Sequence, residues 1–159
     1  MTLRIWLTGY RSYELSVFSE QDPKLIVIKK ALKAAIIQLA ENVEECWVLS
    51  GAQLGVEQWG QECVTELKKD YPQLKSAIIL PYQNFGHQWQ AQNQTKLAHL
   101  MEHVDFSLTL NRSDYRNRDQ LVAWQHFMLK HTDEALLLYD LEHPGKSDYD
   151  WHMMQRWQQ

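Results

Sequence analysis

Short continuous apolar runs alternate along this chain with longer stretches whose apolar residues recur every three or four positions. The runs are Leu3–Leu7, Cys46–Leu49, Ala77–Leu80, the weaker Phe106–Leu110, and Ala135–Tyr139. Turn or polar residues close each one: Thr8-Gly9, Ser50-Gly51, Pro81, Asn111 and Asp140. Runs this short and this unbroken predict strands covered on both faces. Between them, Leu25, Ile28, Leu32, Ala35, Ile36 and Leu39 predict a helix from Pro23 to about Glu41. Asp22-Pro23 supplies its start, an acid at the cap and proline in the first turn. Val56, Trp59, Cys63, Val64 and Leu67 mark a second helix that ends before Pro72. Helices are also expected over Trp89–Val104, around Leu121, Trp124, Phe127 and Met128, and over Tyr149–Gln159.

Strand and helix alternating in this way predict a parallel sheet between two layers of helices. The expectation is one three-layer, Rossmann-like α/β domain over residues 1–159, with five mainly parallel strands and right-handed crossovers. Ligands of such sheets bind beyond the carboxyl ends of the strands. The loops after the strands therefore hold the candidate chemistry.

Composition narrows the reading without redirecting it. Apolar residues make up 45% and charged residues 23%, which fits a globular fold and excludes a disordered chain. A net charge of −4 argues against a surface devoted to nucleic acid. No apolar run is long enough for a membrane span, and the amino terminus does not read as a secretory signal. Cys46 and Cys63 form no C-x-x-C pair and read as core residues of a protein in a reducing, cytoplasmic setting.

Ser50 to Glu57 is the most informative loop. It joins a strand to a helix through Gly51 and Gly55, with Ala52 and Leu54 between them. Glycine lets a backbone approach a ligand closely, and a helix start offers free N–H groups and a positive dipole end. Those are the ingredients of a phosphate site, although neither the dinucleotide fingerprint nor a P-loop is present. A ligand-free strand-to-helix turn is the equal alternative. After the first strand, Thr8 offers a hydroxyl, Gly9 room, Tyr10 a ring for stacking and Arg11 a bidentate anion partner. Pro81, Tyr82 and Asp140 close the other strands and complete the candidate ligand set.

Thr8-Gly9-Tyr10-Arg11 with Glu14-Leu15, Asp22-Pro23, Ser50-Gly51-x-x-Leu54-Gly55-Val56-Glu57-x-Trp59, and Tyr139-Asp140 with Pro144-Gly145-Lys146 resemble the YpsA-like family of Gram-positive bacteria. That family lies in the SLOG superfamily, named for the Smf/DprA and LOG proteins. The resemblance runs nearly end to end. It implies a Rossmann-like fold with strand order 3-2-1-4-5 and a pocket for a nucleotide-derived, phosphorylated molecule. A cytoplasmic regulatory role linked to cell division is also implied. Gly9, Arg11, Gly51, Gly55 and Glu57 become the leading ligand residues. Ala52 stands where a second glycine is expected, and a further strand is expected beyond Gln159. The LOG relatives cleave an N-glycosidic bond with a P-G-G-x-G-T-x-x-E loop. This chain lacks Pro-Gly-Gly, and its Glu57 follows Gly55 by two positions. Binding is thus expected, Glu57 accepting hydrogen bonds from ribose, with nucleotide N-glycosidic hydrolysis using a catalytic Glu57 as the alternative. A bulky Gly55→Asp change is expected to abolish binding and spare the fold.

Other signals carry less. His99-Leu100-Met101-Glu102-His103 matches H-x-x-E-H, but no further ligand helix accompanies it, so no metal is expected. No other cofactor is expected either. Arg112, Arg116 and Arg118 with Tyr115 offer a basic loop to a phosphate, or, as a further functional alternative, to single-stranded nucleic acid as in DprA relatives or to a protein in an adaptor role; the solvated-loop reading is preferred, and nucleic acid is not an expected partner. Lys29, Lys30 and Lys33 read as the wet face of the first helix. Trp151, Met153, Met154 and Trp157 give the last segment an apolar side for the core or for a second copy of the chain in a homo-oligomer.

Overall fold

Apolar strands that alternate with amphipathic helices do assemble into a three-layer α/β domain in the computed structural model, which describes residues 1–158. The strands are β1 (Thr2–Gly9), β2 (Glu45–Ser50), β3 (Leu74–Leu80), β4 (Phe106–Thr109) and β5 (Glu134–Leu138). The helices are α1 (Pro23–Ala40), α2 (Val56–Leu67), α3 (Ala91–His103), α4 (Asp119–Lys130) and α5 (Asp148–Gln158). Asp22 caps α1 by accepting from the Lys24 N–H at 2.9 Å, as its place before Pro23 predicts. One short 3₁₀ turn, Ser12–Leu15, follows β1 and has no counterpart in the periodicity.

All strand pairs are parallel, in the order β4-β3-β2-β1-β5. The expected order 3-2-1-4-5 is thus corrected for β4, which lies outside β3 and not between β1 and β5. The physical reason is local. Consecutive strands tend to lie side by side, and the start of β4 is pinned to β3. Asp105 accepts from the Ser76 N–H at 2.8 Å and pairs with Lys68 at 2.6 Å. β5 docks on the free side of β1, where the Arg4 N–H and guanidinium both bond Asp133.

Successive strand residues face opposite layers. Leu3, Ile5, Leu7, Cys46, Val48 and Leu74 pack under α1 and α2. Trp6, Leu49, Ala77 and Ile79 pack under α4 and α5 with Trp124, Met128 and Met154. Ile78 joins Leu100 of α3 and Phe85 in a third cluster on the α1–α2 side. Met154 thereby settles one face of the last helix as core. Lys29 and Lys33 are not simply a wet face: they pair with Glu62 and Glu66 of α2. Lys30 remains exposed. Both cysteines are fully buried and free. No described helix is long and apolar enough to cross a membrane.

Candidate functional site

The carboxyl ends of β1, β2 and β5 are tied together before any ligand is considered. Ser12 N–H donates to the Leu54 carbonyl at 2.9 Å, and Val56 N–H donates to the Tyr10 carbonyl at 3.0 Å. Arg11 and Gly55 form an antiparallel bridge between the two loops. Gly55 holds φ +128°, and a Cβ there would lie 2.5 Å from the Tyr10 oxygen and 2.6 Å from the Ser12 nitrogen. Its glycine serves the junction of two loops. The expectation that Gly55→Asp spares the fold is therefore corrected.

The β5–α5 loop closes the third side. Ser147 Oγ donates to the Gly9 carbonyl at 2.6 Å. Glu14 accepts from the Arg11 N–H at 2.7 Å with one oxygen and from the Lys146 N–H at 2.9 Å with the other. Tyr10 accepts from the Asp140 N–H at 2.9 Å and donates to the His143 carbonyl at 2.8 Å. The Tyr10 ring rests 5.2 Å from that of Tyr139.

A cleft of about 470 Å³ opens beside this junction, on the side of α4 and α5. Its cations are Arg11, Arg118 and Lys146; none is ion-paired among the described residues. Its rings include Tyr13, Phe85, Tyr115, Trp124 and Tyr149. The Arg118 guanidinium lies over the Tyr149 ring at 5.0 Å, a cation–π contact. Trp124 is fixed by its indole N–H, which donates to the Ile79 carbonyl at 2.7 Å.

Two carboxylates lie deepest. Glu57 is 2% exposed and Asp150 is 5% exposed. Glu57 stands in the first turn of α2 and folds back on its own loop, where Oε1 accepts from the Gln53 N–H at 2.9 Å. Oε2 lies 3.0 Å from the buried Thr8 hydroxyl. Asp150 Oδ2 lies 3.4 Å from the same hydroxyl, and Oδ1 accepts from Gln125 Nε2 at 2.7 Å. Among the described residues neither carboxylate is ion-paired. Burial pushes the Asp150 carboxyl up to about 6, and the negative Glu57 adds to the rise. The Gln125 and Thr8 hydrogen bonds and the charge of Arg11 oppose it. A buried carboxyl raised in this way, with a second carboxylate on the same hydroxyl, is typical of functional clefts.

Of the candidate residues, Arg11, Gly51, Ala52, Glu57 and Pro81 line the cleft, and Thr8 lies beneath it. Gly9 is packed against Leu138 and Val56. Ser50 is buried and bonds Gln61. Leu54 and Gly55 face the opposite groove. The Tyr82 ring lies tilted against those of Phe85 and Tyr115, behind the wall. Asp140 is exposed and bonds Glu142 and His143 of its own turn. At the amino end of α2 the Val56 N–H is taken by the Tyr10 carbonyl, and the Glu57 carboxylate accepts from the Gln53 N–H of the preceding loop.

Asp150, Gln125, Trp124, Tyr149 and Lys146 join the cleft without having been candidates. Asp150 carried one readable signal: it precedes the buried Met154 by four residues, so an acid stands on the buried stripe of α5.

A larger groove, about 870 Å³, runs between α1, α2 and α3. Its Lys29 and Glu62 neutralise one another at 2.7 Å, and it faces away from the buried carboxylates. His99 and His103 line it and, with Glu102, form an exposed group on α3 whose ligand atoms lie within 4.8 Å of one another.

The sequence model of the YspA SLOG family matches residues 5–159. A UPF0398 protein of Lactobacillus helveticus is 50% identical over 155 residues, 98% of this chain and 82% of its own length. UPF0398 proteins of Pediococcus pentosaceus and Oenococcus oeni are 49% and 47% identical, over 98% and 99% of this chain and 85% and 84% of their own.

Proposed function

This chain belongs to the YspA SLOG family, and from that premise we propose that its cleft binds a phosphorylated, nucleotide-type small molecule and that the protein acts as a regulator responsive to it. The observation that carries the reading is the joint lining of one cavity. Arg11, Arg118 and Lys146 provide unpaired positive charge for a phosphate. The exposed rings of Tyr115 and Tyr149 provide stacking surface for a planar base. Glu57 and Asp150 provide acceptors for hydroxyl groups. A volume of about 470 Å³ falls within the usual range for small-molecule sites. Two buried, free cysteines agree with action in a reducing cytoplasm. A link to cell division belongs to the same proposal and rests on the family resemblance alone.

Native mass spectrometry of the protein purified from cells tests the reading directly. A co-purifying mass of a nucleotide, displaced by titration with the pure compound, is the expected result. Arg118→Ala and Lys146→Ala should each weaken that affinity several-fold. A protein that carries no such molecule and binds none of the common ribonucleotides by calorimetry would overturn it.

The Glu57–Asp150 pair favours one second reading, hydrolysis of a nucleotide N-glycosidic bond. A carboxyl that burial has made a weaker acid, such as Asp150, can donate a proton to a departing base, while the second carboxyl group assists the attack of water. Release of free base from a nucleoside monophosphate by the wild-type protein separates this reading from binding alone.

A further inference from the structure

Charge in the cleft is sorted by depth. The cations Arg118 and Lys146 are exposed and Arg11 is half-buried, whereas Glu57 and Asp150 are buried. We propose that the ligand enters with its sugar inward and its phosphate outward, and that the sugar must carry a vicinal pair of hydroxyls. The preferred ligand is then a ribose phosphate or ribonucleotide, not its 2-deoxy counterpart, and Asp150 with Glu57 reads the difference. This inference rests on the ligand reading above and adds its orientation and sugar class.

Three features of the floor lead there. A phosphate set against two buried carboxylates would be repelled, so the anionic end belongs at the cationic rim. The Thr8 hydroxyl has a single hydrogen for the two carboxylate oxygens that flank it, at 3.0 and 3.4 Å. Acceptor capacity is therefore left over on both carboxylates, and no cation of the protein uses it. Neutral hydroxyl donors supply what the floor lacks without adding charge. Burial, with Glu57 adding to it, raises the Asp150 carboxyl, which places this acceptor deep on the floor of the cleft.

The floor is also held rigidly. Gln125 fixes Asp150 at 2.7 Å and the Gln53 N–H fixes Glu57 at 2.9 Å. Two fixed acceptors on separate helices suit two adjacent hydroxyls better than one. A site built to bond a hydroxyl discriminates strongly against an analogue that lacks it, because its buried polar groups are left unpaired.

The test is calorimetric titration at pH 7.5 with ribose 5-phosphate, 2-deoxyribose 5-phosphate, and the four ribonucleoside and deoxyribonucleoside monophosphates. At least ten-fold tighter binding of the ribo form of each pair that binds is expected. Asp150→Asn should shrink that preference to about three-fold or less, while Lys146→Ala should weaken both forms equally. Equal affinity of ribo and deoxy forms for the wild-type protein would overturn the proposal and leave the ligand reading standing. An unchanged preference in a folded Asp150→Asn protein would do the same. Binding of no compound in the series would remove both. Should Asp150→Asn fail to fold, the wild-type comparison still decides.

Discussion

Gly55 and Tyr10 are in direct backbone contact: a side chain on the glycine would start 2.5 Å from the tyrosine carbonyl oxygen. That oxygen also accepts the first N–H of α2, from Val56 at 3.0 Å. Gly55→Ala therefore combines a strained positive φ with a collision at the seam of two loops. It should destabilise the fold by ~1–3 kcal/mol, read as a lower denaturation midpoint. Unaltered stability would show that the two loops part without cost.

Glu57 divides the two functional readings. If it only accepts hydrogen bonds from the ligand, Glu57→Gln should weaken affinity by ~1–3 kcal/mol and reveal no turnover in the wild type. If it takes part in hydrolysis, the wild type should release free base, and the variant should be slower by roughly 10²–10⁴. Binding without turnover is the outcome expected here. Base release lost in the variant would make the protein an enzyme.

Asp150 gives stability a pH slope of unusual sign. Its folded carboxyl is raised from 3.8 to about 6. Between those values the folded state holds the proton more tightly than the unfolded chain does. Its contribution is thus fully present below about pH 4 and is lost as pH rises through about 6. The whole effect is on the order of 3 kcal/mol. Asp150→Asn should flatten this part of the profile, and chemical denaturation from pH 4 to 7.5 would measure it. A wild-type profile parallel to that of the variant would refute the assignment.

Much of this architecture was open to reading from sequence. Runs such as Cys46–Leu49 and Ala77–Leu80 are too short and too apolar to be anything but covered strands, and Asp22-Pro23 marked the start of α1 to the residue. The place of β4 was not legible, because strand order depends on which free edge receives a short, half-exposed strand. Periodicity carries no such information. The Asp105–Ser76 and Asp105–Lys68 contacts that fix it join residues 29 and 37 positions apart.

The cleft was legible on one side only. Strand-end loops can be listed once strands are found, and Arg11, Gly51 and Glu57 were reached that way. Asp150, Gln125 and Trp124 come from within helices, where a polar residue beside apolar ones reads as ordinary amphipathic packing. Tyr10 looked free to stack on a ligand, yet its hydroxyl is spent on the β5–α5 turn, a contact across 130 residues.

Both thiols should be inert in the folded protein. Burial pushes Cys46 up to about 11 and Cys63 up to about 12. Since the thiolate is the reactive form, an aromatic disulfide reagent at pH 8 should label neither cysteine until denaturant is added. Rapid labelling of the native protein would show an opening that exposes α2.

The His99–Glu102–His103 group should not hold stoichiometric zinc. All three side chains are exposed and come from one turn of one helix, with no further ligand beside them among the described residues. Structural and catalytic zinc sites are normally completed by ligands from other segments or by a shaped, enclosed position. Elemental analysis after purification without chelators should find well below one zinc per chain; about one per chain would overturn this.

Thr8, Glu57 and Asp150 meet at one hydroxyl although 142 positions separate the first from the last. During synthesis, β1, β2 and the α2 amino end emerge early, and Glu57 then has only Thr8 and Gln53, at the carboxyl ends of these strands, to satisfy it. The opposite wall does not exist until α4 has left the ribosome, nor the second carboxylate until α5 has followed. A ligand therefore has no complete place to bind on a partly made chain. Binding should report on completed folding, and a ligand present in the cell would favour finished molecules over nascent ones by mass action.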